Sequence, residues 1–180
     1  ACALQSAGHL NEALENYKEI LKRDPSLPDT YNNTGVIYRS LGQSGQARQA
    51  FETALQKKPD FALAMMNLAL LDRDAGNIES ALALLEKAQN IDPNDAEIHA
   101  QTAITLRQTG QYEQALKHMA QAVALCPDSP TYLNGLGIIK EALNDLNGAF
   151  DAYDAAIRAA PDYPDAYNNR ANILAKRGKK

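Results

Sequence analysis

Residues 62–95 read ALAMMNLALLDRDAGNIESALALLEKAQNIDPND, and this stretch decides the fold. Its first half, 62–75, is rich in Ala, Leu and Met and runs into Gly76. Glycine ends helices readily because it takes the left-handed backbone conformation with no Cβ penalty. The second half, 79–91, places Ala81, Leu82, Leu85, Ala88 and Gln89 on one helical stripe. Pro93 then forbids continuation, since it lacks an N–H and its ring clashes with the preceding turn. The stretch predicts two short helices on a tight connection, which leaves them antiparallel.

The same pattern recurs on either side. Pro25, Pro59, Pro93, Pro127 and Pro161 stand 34 residues apart without slippage. Ala13, Ala47, Ala81, Ala115 and Ala149 precede them in lockstep. Gly8, Gly42, Gly76 and Gly110 keep the same period, with Asn144 in the fifth slot and Gly178 in the sixth. A fixed period of this length marks stacked units, none of which buries its apolar face alone. First helices are predicted at 28–41, 62–75, 96–109, 130–143 and 164–177, and second helices at 11–23, 45–57, 79–91, 113–125 and 147–159. The chain is thus read as one all-α solenoid, 1–180, with full repeats at 28–61, 62–95, 96–129 and 130–163 and partial ones at 1–27 and 164–180. The frame is cut at both ends and the first residue is Ala1, which reads as a fragment of a longer protein.

Composition narrows the function classes. The chain is 45% hydrophobic and 22% charged with a formal net charge of −4. No global positive field would draw it to nucleic acid or anionic lipid. Its apolar runs, such as 68–71, fall far short of the roughly 20 residues of a membrane span. Cys2 and Cys126 lack the spacing of a disulfide framework or a zinc site, so they read as free thiols in a reducing, cytoplasmic compartment.

On these residues the chain is identified as a member of the tetratricopeptide repeat family. The eighth slot of each repeat holds Gly35, Ala69, Ala103 and Gly137, and the twenty-fourth holds Phe51, Leu85, Met119 and Tyr153. The twenty-seventh holds Ala54, Ala88, Ala122 and Ala156. The resemblance implies a right-handed superhelix of antiparallel helix pairs, whose two helices cross at the small eighth residue. It also makes Tyr17, Tyr31, Tyr38, Tyr112, Tyr153 and Tyr167 core knobs. Four residues depart from the family pattern: Asp72 and Lys140 in the eleventh slot, Arg48 in the twenty-first and Arg170 in the seventh. An unpaired buried charge is costly, so these must reach solvent or find partners. Looser packing is expected near Asp72 and Lys140.

Nothing in the inventory points to catalysis. There is no GxSxG elbow, no phosphate-binding glycine loop and no HExxH pair, and no cofactor or metal is expected. His9 reads as a turn residue, His99 as core and His118 as lying on an outer face.

The function must then lie in the surface. The family resemblance implies that the first helices line a concave groove, to which it assigns Asn32, Asn33, Val36, Arg39, Met66, Asn67, Leu70, Arg73, Gln101, Ile104, Arg107, Asn134, Ile138, Asn168 and Asn169. Read across repeats, these form an amide row, an aliphatic row and an arginine row. Amides both donate and accept, so a row of them either grips an extended peptide backbone or bonds neighbouring helices to one another. It is loosely similar to the asparagine-lined repeats of the O-GlcNAc transferases. The aliphatic row serves a partner or inter-repeat packing, and the arginine row an acidic ligand or nearby acids such as Asp74. Charges about 10 Å apart in water repel by only about 0.4 kcal/mol, so aligned arginines need no ligand to explain them. The family's carboxylate clamp for chaperone tails is not matched, since Glu97 stands where a lysine is needed. The expected function is a protein- or peptide-binding scaffold, with the docking arm of a larger glycosyltransferase-like enzyme as the alternative. The expected partner is a protein or extended peptide, with no nucleic acid and no membrane insertion. Self-association through the terminal half-repeats is the further option that the cut frame leaves open.

Overall fold

The computed structural model describes residues 2–178, with side chains from Gly8 onward. Its described residues form ten helices and no strands: α1 (Cys2–Arg23), α2 (Pro28–Ser40), α3 (Ser44–Lys57), α4 (Ala62–Asp74), α5 (Ile78–Ile91), α6 (Ala96–Gln108), α7 (Tyr112–Leu125), α8 (Pro130–Ala142), α9 (Leu146–Ala159) and α10 (Pro164–Arg177). They fall into two compact units, residues 1–93 and 94–180, and the division comes at the end of a repeat. In the first unit α2 packs on α3 and α4 on α5. In the second α6 packs on α7 and α8 on α9, with α10 closing onto α9.

The turn inside each repeat is built the same way. Gly42, Gly76 and Gly110 have φ of 73°, 84° and 76°, and Asn144 reaches 62° in the same slot. Asparagine is among the side chains that best tolerate this region, which is why it can stand in for glycine. The N–H one residue further on reaches back to the eleventh-slot carbonyl, as in Gln43 N to Tyr38 O (2.8 Å) and Asn77 N to Asp72 O (2.8 Å). Because this bond uses only backbone, it forms whether the eleventh slot holds Tyr, Asp or Lys. At the far end of each second helix Lys58, Asp92 and Ala160 have φ of −138°, −127° and −142°. Each precedes a proline, whose ring excludes the α conformation there.

Gly8 breaks the rule. It lies inside α1, which runs unbroken from Cys2 to Arg23.

The helix crossings set the core. A Cβ on Gly35 would lie 2.5 Å from Phe51 Cε1, and one on Gly137 would lie 2.4 Å from Tyr153 Cε1. Both rings are fully buried. Where the knob is the slimmer Leu85 or Met119, the facing slot carries Ala69 or Ala103 instead. Of the six expected tyrosine knobs, Tyr153 alone is fully buried; Tyr17, Tyr31, Tyr38 and Tyr112 are half-buried. Tyr167 is 41% exposed, which corrects its assignment to the core: among the described residues α10 packs on α8 and α9, and no other helix covers its far side.

The expectation of loose packing at Asp72 is also corrected. Asp72 is 4% exposed and pairs with Arg48, while the Ser80 hydroxyl donates to it at 2.5 Å. Two departures from the family pattern therefore neutralise each other across α3 and α4. Burial alone would raise the Asp72 carboxyl, but the hydrogen bonds from Ser80, Arg48 and Asn77 outweigh it and hold the group below the usual carboxylate range. Arg170 is likewise matched, donating to Asp154 at 2.7 Å. Lys140 is half-buried, with its Nζ 2.9 Å from where a Cβ on Gly148 would sit.

Two outcomes are expected. Gly35→Ala should cost about 1–3 kcal/mol in denaturant unfolding through overpacking, and Phe51→Leu should restore much of the loss. A Gly35→Ala variant as stable as the parent would refute the crossing argument. Asp72 titrates lower folded than unfolded, so its contribution is present above the unfolded pKa and is lost as pH falls through the folded one. The stability lost between about pH 5 and about pH 3 should therefore be smaller in Asp72→Asn than in the parent.

Candidate functional site

Each unit presents the inner faces of its first helices, and the three rows do different work there. The amides bond each other. Asn67 Nδ2 donates to Asn32 Oδ1 at 2.9 Å, and Asn169 Nδ2 donates to Asn134 Oδ1 at 3.0 Å. Asn32, Asn67 and Asn134 are buried, so the sixth-slot amide of one repeat locks onto the fifth-slot amide of the repeat before it. Asn33 and Asn168 are exposed at the outermost helices. Of the two uses open to this row, holding adjacent helices is the one the geometry displays.

The same 35-residue offset carries two further bonds. Tyr132 Oη donates to Glu97 Oε2 at 2.7 Å, and Lys176 Nζ pairs with Glu141 Oε1 at 2.5 Å. Glu97 Oε1 accepts from Gln101 Nε2 at 2.6 Å, while Glu141 Oε2 accepts from Tyr153 Oη at 2.9 Å. Burial, and then the neighbouring carboxylate, push both tyrosine hydroxyls upward, so each remains a proton donor.

The aliphatic and arginine rows are divided. Leu70 and Met66 are buried in the first unit, where Val36 is 36% exposed. Ile104 and Ile138 are half-buried in the second. Arg39 is half-buried with its Nη1 unpartnered among the described residues, and Arg73 Nε lies 3.7 Å from Asp74. The basic residues near the C-terminus are drawn into the fold: Arg177 donates to Leu146 O at 3.0 Å and stacks on Phe150 at 4.6 Å. Lys179 and Lys180 lie outside the described residues, as does the side chain of Cys2. Cys126 is a free, exposed thiol.

One cavity gathers several of the expected residues. In the second unit a cleft of about 210 Å³ between α6 and α8 is lined by Gln101, Ile104, Arg107, Asn134 and Ile138, with Ala100, Met119 and Ile139 beneath and Glu97 and Tyr132 at one end. Gly135 lines it as well. In the slot where other repeats carry an amide it lets Met119 come close, since the methionine Cε would lie 2.9 Å from an added Cβ. Met119 as a floor, and Tyr132 and Tyr163 as walls, were not legible in the sequence. The signal was present in Gly135, the one gap in the amide row.

The histidines hold a second surprise. His118 is half-buried, not on an outer face: its Nδ1 lies 3.4 Å from His99 Nδ1, with the ring centroids 5.7 Å apart. Burial first, and then the proximity of His99, lower the His118 pKa. Among the described residues no three His, Cys, Asp or Glu side chains cluster closely enough to hold a metal ion, and no helix is long and apolar enough to cross a membrane.

These features place the chain among the repeat proteins built from antiparallel helix pairs. Tetratricopeptide repeat family models match residues 38–104, residues 101–164, and residues 16–49 together with 152–180. The chain belongs to the tetratricopeptide repeat family. No curated relative matches it. Among solved structures it is similar to TTC0263, a thermophilic repeat protein of Thermus thermophilus, at 24% identity and a TM-score of 0.78 over 96% of this chain and 94% of that one. It is similar to YrrB, described as a repeat protein with an unusual peptide-binding site, at 24% identity and a TM-score of 0.70 over 93% and 87% of the two chains. It also matches the Cut9–Hcn1 hetero-tetramer of the APC/C, at 18% identity and a TM-score of 0.84, covering 95% of this chain but 34% of that one. At such identities the likeness is one of fold.

His118 supplies a check on the second unit. Its folded pKa lies below its unfolded one, so its stabilising effect is present above the unfolded pKa and is lost as pH falls through the folded value. Thermal unfolding should weaken more between about pH 7 and about pH 5 in the parent than in His118→Gln. Equal slopes would contradict the pairing.

Proposed function

We propose that this chain is a protein-binding module that holds an extended segment of a partner against its first helices, with the principal grip in the cleft between α6 and α8. The observation that carries this reading is the convergence of Gln101, Ile104, Arg107, Asn134 and Ile138 on that one cleft. It combines an apolar floor with polar and charged rims, the mixture that buries a side chain while fixing its neighbours. Membership of a family of helical-repeat scaffolds supports it, as does a shared fold with a protein described as having a peptide-binding site. The amide row then has a supporting part. It ties α8 to α10 through Asn134 and Asn169, while the Tyr132–Glu97 bond ties α6 to α8 across the cleft itself; together they fix the cleft before a partner arrives, which lowers the ordering cost of binding.

The test is to pan a randomised twelve-residue peptide library on the full chain and re-measure the enriched peptides on variants. Ile104→Glu should weaken them at least tenfold, and Lys117→Glu on the exposed part of α7 should change them less than about twofold, with helical content unchanged in both. No enrichment, or peptides indifferent to Ile104→Glu, would overturn the reading.

A further inference from the structure

Resting on that reading, we infer that the cleft of residues 94–180 selects an extended segment with a basic, an aliphatic and an acidic side chain at alternating positions, two residues apart. The cleft's volume of about 210 Å³ is below the roughly 300 Å³ at which metabolite pockets begin, and it suits one side chain. Its floor is apolar: Met119 lines it and is 2% exposed, with its Cε seated where a side chain at Gly135 would begin. An aliphatic group entering there meets Ile104 and Ile138 on either wall.

The two ends carry opposite charge. Glu97 marks one end, its oxygens held by Tyr132 at 2.7 Å and Gln101 at 2.6 Å, so the carboxylate is fixed in place. Asp95, capping the same helix, adds a second negative charge beside it. Arg107 marks the other end, ten residues along α6, or about 15 Å at the helical rise. Glu141 of α8 is the acid that could compete for that arginine, but Lys176 and Tyr153 already engage it. No acidic side chain among the described residues ion-pairs with Arg107.

The spacing selects the ligand. An extended chain rises about 3.3 Å per residue, so residues four apart stand about 13 Å from each other, and alternate side chains share one face. A basic residue over Glu97, an aliphatic residue over Met119 and an acidic residue over Arg107 then fit simultaneously. Chain direction is free, because the charge order and not the backbone polarity makes the match.

The experiment uses three fluorescent nine-residue peptides that share a central leucine and differ only two residues to either side of it. One carries lysine and glutamate, one two lysines, and one two glutamates. By polarisation on the full chain, the mixed peptide should bind about fivefold tighter than either like-charged one, the scale of a partly exposed ion pair. Arg107→Glu should transfer the preference to the dilysine peptide, and Gly135→Val should weaken all three by displacing Met119 from the floor. Circular dichroism checks both variants for folding, and the Arg107 reversal is a gain that misfolding cannot produce. Equal binding of the three peptides, or a preference unchanged in Arg107→Glu, overturns the inference. If library peptides lacking this pattern still depend on Ile104, the inference falls and the groove reading stands. If no peptide binds the cleft at all, both fall.

Discussion

The close crossing of the two helices within each repeat is the constraint on which everything else rests. At Gly35 and Gly137 the backbones approach until an aromatic ring fills the space that a Cβ would need. That contact fixes the angle and separation of each pair, and through them the direction in which each first helix presents its inner face. A core packed at near-crystalline density does not absorb a misplaced methyl group, so the exchange of ring size against Gly or Ala is a volume balance kept repeat by repeat. The turns cooperate without adding side-chain requirements, since their left-handed residue and backbone bonds close the pair whatever occupies the eleventh slot.

Between repeats the bonding changes character. Adjacent first helices are tied by polar links at a constant offset: amide to amide, tyrosine to glutamate, lysine to glutamate. A polar tie suits this surface because it is directional and sets register, where an aliphatic contact would tolerate sliding. It also explains how charged residues survive in slots that the family fills with apolar ones. Arg48 and Asp72 come from different repeats and are in contact only because α3 and α4 pack, and Arg170 finds Asp154 in the same manner. The cleft between α6 and α8 is the by-product of one omission in this scheme. Gly135 supplies no amide, Met119 sits in the space a side chain there would need and forms an apolar floor, and the charges at Glu97 and Arg107 are left at either end.

The sequence by itself determined the helices, their pairing and the class of fold, because those depend on short-range signals: a period of 34, a glycine or asparagine that must turn left-handed, a proline that must stop a helix, and a small residue facing a large one. It also named Gln101, Ile104, Arg107, Asn134 and Ile138 among the residues that line the cleft, since one helical stripe puts such slots on one face. What it left open needed the third dimension. A helical stripe says which way a side chain points and nothing about what meets it, so the amide row had two readings until Asn67 was seen bonded to Asn32. Gly8 carries the same local signal as Gly42, yet it stays helical inside α1. Tyr167 has the same slot as Tyr31 and lacks the cover. His99 and His118 stand in unrelated slots and become neighbours only when α6 and α7 cross. Local chemistry decides which elements form. Contacts between residues far apart in the chain decide which polar groups are consumed by the fold, and so which remain to meet a partner.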